Sequence, residues 1–75
     1  MQTMDFQLNG EYVELCNLLK LTGLANSGGQ GQLMVADGMV KVDGKAESRK
    51  RAKIRPGQVV ECFDSRIQII AEEQH

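Results

Sequence analysis

Residues 4–8 alternate Met4, Phe6 and Leu8 with Asp5 and Gln7, a period of two that predicts a half-buried strand ending at Asn9-Gly10. From Glu11 to Thr22 the period lengthens. Tyr12, Leu15, Leu18, Leu19 and Leu21 recur at three- and four-residue spacing, with Glu11, Glu14 and Asn17 on a polar side. This pattern predicts an amphipathic helix whose early acids suit the helix dipole and which Gly23 stops at C′. A second helix is predicted to open at Ser27. There Ser27-Gly28-Gly29-Gln30 fits a capping box, with Gln30 reaching back to the amide of the cap residue. Leu33, Met34 and Val35 are expected to face the first helix, Asp37-Gly38 to end the second, and about four residues to join the two in an αα corner.

Beyond residue 38 the chain reads as strands. Asp43-Gly44 between "MVKV" and "KAE" is a strong two-residue hairpin signal, because a type I′ turn needs positive φ at both central positions. Pro56-Gly57 supplies another turn, and "QVVECF" and "RIQIIA" are β-rich runs around a short Asp64-Ser65 connection. The expected fold is α+β in the order β-α-α-β-β-β-β, a two-helix corner on a small, mostly antiparallel sheet. Residues 72–75 are expected to fray.

Composition narrows this picture. Seventy-five residues suit one domain, 1–75, and 41% apolar with 25% charged residues suits a folded chain. Cys16 and Cys62 form no C-x-x-C pair and read as buried small hydrophobes in a reducing compartment. No signal peptide or membrane-length apolar segment is recognisable, so a cytoplasmic location is expected. His75 is the one histidine, no cysteine or serine has a candidate base, and acids lack ligand spacing. Neither a catalytic residue, a metal site, a cofactor nor a small-molecule substrate is expected, and the protein is not expected to be an enzyme.

Charge changes the picture most. Residues 41–55 hold seven of the nine basic residues against Asp43 and Glu47, a net of +5. Residues 1–40 and 56–75 each hold one base and four acids, a net of −3. If residues 49–55 are extended, alternation puts Arg49, Arg51, Lys53 and Arg55 on one face, ~6.6–6.8 Å apart, with Lys50, Ala52 and Ile54 opposite. Four like charges on a face repel one another in the free protein, so an anionic visitor is expected. The guanidinium fork suits phosphate. Lys41 and Lys45 would enlarge the patch, and Asp43 and Glu47 would partly neutralise it. A solvated strand blocking edge-to-edge association is the plainer reading.

The glycines of "NSGGQG" form neither a dinucleotide fingerprint nor a Walker motif. Gly28 and Gly29 would occupy the first two helical positions, where a phosphate oxygen could approach bare amides. Equally, small residues there would let two helices cross closely.

Residues 15–60, "LCNLLKLTGLANSGGQGQLMVADGMVKVDGKAESRKRAKIRPGQVV", resemble an S4 domain over about two-thirds of the chain. The likeness is nearest to the small stand-alone bacterial S4-like proteins, which share Ser27-Gly28-Gly29-Gln30 and Glu47-Ser48-Arg49-Lys50-Arg51. The resemblance implies an S4 or αL-motif fold with a core motif at about 11–62. It also implies a face that grips structured RNA through the start of the second helix (Ser27, Gly28, Gly29, Gln30), Lys41 and Lys45 at the hairpin, and the segment with Arg49, Lys50, Arg51, Lys53 and Arg55. Many S4 domains carry Arg or Lys in the first turn of the second helix, where this chain has Gly28, Gly29 and Gln32.

The function expected is therefore recognition of the backbone of structured RNA, of the ribosomal or transfer class, by a monomer. An adaptor docking its basic face on an acidic or ribosome-associated protein is the alternative, and DNA binding a third reading. The three aromatic residues, Phe6, Tyr12 and Phe63, argue against a row of stacking rings and for weak sequence specificity.

Overall fold

The computed structural model describes residues 2–72. In chain order the elements are β1 (Gln2–Leu8), β2 (Val13–Glu14), α1 (Leu15–Leu21), α2 (Gly28–Ala36), β3 (Val40–Val42), β4 (Lys45–Ala46), β5 (Lys53–Ile54), β6 (Val59–Cys62) and β7 (Ser65–Ala71). The architecture is α+β. A five-stranded sheet runs β1-β7-β6-β3-β4, antiparallel at every pairing except β1–β7, which is parallel from Gln2 opposite Ser65 to Leu8 opposite Ala71. β2 and β5 form a separate two-stranded antiparallel sheet, with Val13 opposite Ile54 and Glu14 opposite Lys53. Both strands are additions to the expected order. Two residues are too few to show a period, and their partners lie far apart in sequence.

That small sheet moves the start of the first helix. Val13 and Glu14 are extended, Glu14 is the N-cap with φ −70° and ψ 140°, and the helix begins at Leu15 rather than Glu11. Its first turn holds no acid: Glu11 lies outside the helix, and Glu14 stands at the N-cap with no side-chain hydrogen bond to the helix amides. The amides of Leu15 and Cys16 instead donate to the carbonyls of Ala52 at 2.9 Å and Lys50 at 3.2 Å. Backbone from the basic segment thus satisfies two of the orphan donors at a helix start.

The core lies between the helices and the inner face of the larger sheet. α1 buries Leu15, Cys16, Leu18 and Leu19, α2 buries Gly31, Met34 and Val35, and the strands bury Val40, Val60, Cys62, Ile67 and Ile69. Gly31, Met34 and Val35 recur at i, i+3 and i+4 and so share a face, which leaves Leu33 outside the contact at 63% exposure, contrary to expectation. The close crossing of the helices occurs at Gly31. A Cβ there would stand 2.7 Å from the carbonyl oxygen of Cys16. Gly28 has open space around it and Gly29 meets only Ser27 Oγ at 3.8 Å, so neither is required by packing. Ser27 caps α2 by accepting from the Gln30 amide at 3.1 Å. The Gln30 side chain reaches back one residue further than a capping box requires, accepting from the amide of Asn26.

The hairpin turn is as expected, with φ of 53° at Asp43 and 84° at Gly44. The β6–β7 turn is displaced by one residue. Cys62 pairs with Ser65, so the connection is Phe63-Asp64 and Phe63 has φ 55°. Residues 22–27 join the helices, a longer link than the αα corner predicted. Cys16 and Cys62 are buried, unbridged thiols, and burial pushes the Cys62 thiol up from its ordinary value. Glu72, expected to fray, donates its amide to the Leu8 carbonyl at 3.2 Å; residues 73–75 lie outside the described residues.

Candidate nucleic-acid interface

Three local devices hold residues 49–55 against the body. β5 pairs with β2, the Lys50 and Ala52 carbonyls accept from the α1 amides, and the Ala52 and Ile54 side chains are 7% and 1% exposed. Arg55 adds a fourth link: its amide donates to Gln58 Oε1 at 2.7 Å. Gln58 Nε2 in turn donates to Asp43 Oδ2, and the Val59 amide to Asp43 Oδ1, both at 3.0 Å. These two bonds, with the Gln58 side chain the larger influence, hold the Asp43 carboxyl below its ordinary value. The hairpin tip and the basic segment are therefore joined through Asp43, Gln58 and Arg55.

The segment is not a continuous strand. The Ala52 amide donates to the Arg49 carbonyl at 3.2 Å and closes a turn over Lys50-Arg51, so alternation breaks before Lys53. Arg49, Arg51, Lys53 and Arg55 do not form the evenly spaced row expected of them, and Lys50 is exposed instead of sharing the inner face with Ala52 and Ile54. Curvature brings cations together in another way. A cleft of about 300 Å³ opens between the hairpin and this segment, with Val42, Ala52 and Ile54 among its apolar walls. Lys45, Arg49 and Lys53 converge on it.

The other candidate residues divide by position. Arg51 lies by the N-cap of α1, its Nε 3.6 Å from Glu14 Oε2. Lys53 Nζ stands 4.9 Å from the centroid of the Tyr12 ring, which steadies it by cation–π attraction. Lys41 is on the outer face of the larger sheet, opposite in direction to Val42, beside Glu61 on β6. It does not join the cleft. Ser27, Gly28, Gly29 and Gln30 form the first turn of α2, and Gly31 in that turn touches Cys16, whose amide is bonded to Lys50. The start of α2 and the basic turn are thus neighbours through one residue of α1.

Two carboxylates touch the cations. Glu47 Oε1 is 2.6 Å from Arg49 Nε, and the Arg51–Glu14 pair is the longer. The arginine side chains are 81% and 74% exposed, so solvent screens both pairs, more fully at Glu14, 44% exposed, than at Glu47, 19% exposed. An incoming phosphate can compete for either guanidinium. Among the described residues Lys45, Lys50 and Arg55 make no ion pair, no group of three or more His, Cys, Asp or Glu could hold a metal ion, and no helix is long and apolar enough to cross a membrane.

Several residues of this frame carry no functional signal in the sequence. Tyr12 matches a helical stripe, and its place under Lys53 depends on the β2–β5 pairing. Gln58 follows an ordinary Pro-Gly turn, and only the fold brings it to Asp43.

Comparison with known proteins places this geometry in context. The model of the S4 domain family matches residues 6–70. "Putative RNA-binding protein YbcJ" of Escherichia coli (strain K12) is 50% identical over 60 residues, 80% of this chain and 86% of that protein. "Uncharacterized protein YbcJ" of Shigella flexneri matches with the same figures. A solution structure of YbcJ from E. coli, described as revealing an αL motif involved in RNA-binding, superposes with a TM-score of 0.67 at 45% identity, covering 95% of this chain and 89% of that one.

Proposed function

The chain belongs to the S4 domain family, and from that premise we propose that it binds structured RNA, of the ribosomal or transfer class, by its sugar-phosphate backbone. The observation that carries this reading is the convergence of Lys45, Arg49 and Lys53 on one cleft between the hairpin and the basic segment. Three cations stand against two carboxylates, Asp43 and Glu47, the first already bonded to Gln58 and Val59 and the second to Arg49. The excess of positive charge over an apolar floor suits an anion that is held and not transformed. Lys50, Arg51 and Arg55 flank the cleft and extend the positive surface along a polyanion. The first turn of α2 offers a second contact, since Gly28 and Gly29 leave their amides unscreened next to the basic turn. Backbone recognition with few rings implies discrimination by RNA shape more than by sequence.

The test is the salt dependence of binding. Replacing Lys45, Arg49 and Lys53 with Ala together should weaken binding to folded ribosomal or transfer RNA fragments. The log–log salt slope should fall by about two units or more, while the thermal midpoint stays near that of the parent. Unchanged affinity and slope would remove the reading. Tight binding to an acidic protein that excess RNA does not displace would assign the basic face to an adaptor instead.

A further inference from the structure

The β6–β7 turn holds an aromatic ring that serves neither the core nor a cation. Phe6 packs against the core and Tyr12 lies under Lys53, whereas Phe63 is 61% exposed. Its backbone has φ 55°, a region that glycine enters freely and that a bulky side chain enters under strain. The turn is also fixed in place, because the Gln2 amide donates to the Asp64 carbonyl at 2.7 Å. A ring kept exposed at a strained, anchored position points to a contact outside the chain.

The surroundings of the ring indicate what that contact is. Phe63, Met39, Lys41, Glu61 and Cys62 line a recess of about 170 Å³. Drug-sized ligands need ~300–1,000 Å³, so the space suits a single planar group. Lys41 offers a cation for a phosphate, and the half-buried Glu61, across the β3–β6 pairing from it, offers an acceptor. Ring, cation and acceptor together match a nucleotide whose base stacks on Phe63, whose amino group donates to Glu61 and whose phosphate meets Lys41. The recess, on the outer face at the Met39 end of β3, shares no residue with the cleft, which takes Val42 from the opposite face, so base and backbone contacts do not compete for the same side chains.

We propose that this recess is a subsite for one unpaired nucleobase bearing an exocyclic amino group, stacked on Phe63. The proposal rests on the RNA-binding reading above and gives it a base preference that backbone contacts cannot supply. Cytosine and adenine can donate to Glu61, and uracil lacks that donor.

Fluorescence anisotropy with three RNAs tests it: one stem-loop closed at its end, the same with a single-stranded adenosine extension, and the same with uridine. The intact protein should bind the adenosine form at least about fivefold more tightly than the closed form, the low end of one stacked base. The uridine form should gain less. Phe63→Gly should abolish the preference, leave the affinity for the closed stem-loop unchanged and not lower the thermal midpoint, because glycine relieves the strain. Phe63→Trp should keep the preference. Equal affinity for all three RNAs, or a preference that survives Phe63→Gly, overturns the subsite and leaves the backbone reading standing. Failure to bind any of the three overturns both.

Discussion

The five-stranded sheet buries Val40, Val60, Ile67 and Ile69 in one layer beneath the helices, while the two-stranded sheet buries Val13 and Ile54 and turns Lys53 and its neighbours outward. In the first, backbone pairing and apolar burial coincide on β3, β6 and β7. In the second, two residue pairs, two helix-start hydrogen bonds and the Asp43–Gln58–Arg55 chain hold a segment whose exposed surface is cationic. Both sheets feed one core, and Lys45 of the cleft is on β4 of the larger sheet, but the core side chains and the cleft cations are different residues. Stability and binding should therefore separate under substitution.

The largest expected effect is in the larger sheet. Ile67→Ala should cost about 2–5 kcal/mol in chemical denaturation, the usual range for a fully buried Ile, with RNA affinity per folded molecule unchanged. Gly31→Ala tests the joint between the two regions. Its methyl group would meet the Cys16 carbonyl, so a loss of about 1–3 kcal/mol is expected, accompanied by weaker RNA binding, because Cys16 also bonds the basic turn. Weaker stability with intact binding would show that the two regions are less coupled than the hydrogen bonds suggest.

Charge changes in the smaller region should do the reverse. Glu47→Gln frees Arg49 and should strengthen RNA binding a few-fold while moving stability by no more than about 0.5 kcal/mol. Weaker binding in that variant would mean that Glu47 orients the guanidinium and does not compete for it. The smallest effect concerns pH. The Asp43 carboxyl lies below its ordinary value in the folded state, so its contribution is full above the unfolded carboxylate value and is lost as pH falls through the folded one. Asp43→Asn keeps a residue that tolerates positive φ, and its stability should fall less than that of the parent between pH 7 and acid. Parallel acid limbs for the two proteins would assign the titration to other carboxylates.

What the sequence revealed follows from the range of the interactions. Ser27 as a cap, the Asp43-Gly44 turn and the alternation of Met4, Phe6 and Leu8 are each decided within a few residues, and each is where the pattern put it. Val13-Glu14 and Lys53-Ile54 are extended only because they pair with one another, and neither segment says so alone. The same distance effect governs the cations. Their clustering at 41–55 was legible as a count, but the turn at Lys50-Arg51 sends Arg49 into the cleft and Arg51 toward Glu14, and the strand alternation of β3 sets Lys41 on another face. Leu33 was misplaced because Gly31, an inward residue with no side chain, is invisible to a hydrophobic pattern.

The parallel pairing of β1 with β7 imposes an order in time. Residues 2–8 leave the ribosome before the rest of the described chain, yet their partners at 65–71 emerge only after nearly all of it has been made. Closing so long a loop is slow, so β1, made before its partner, should be the last of these strands to dock, joining a structure that the helices and hairpins have already formed. Pulse-labelled amide exchange during refolding should find the β1 amides protected after those of β6, and their earlier protection would refute that sequence of events.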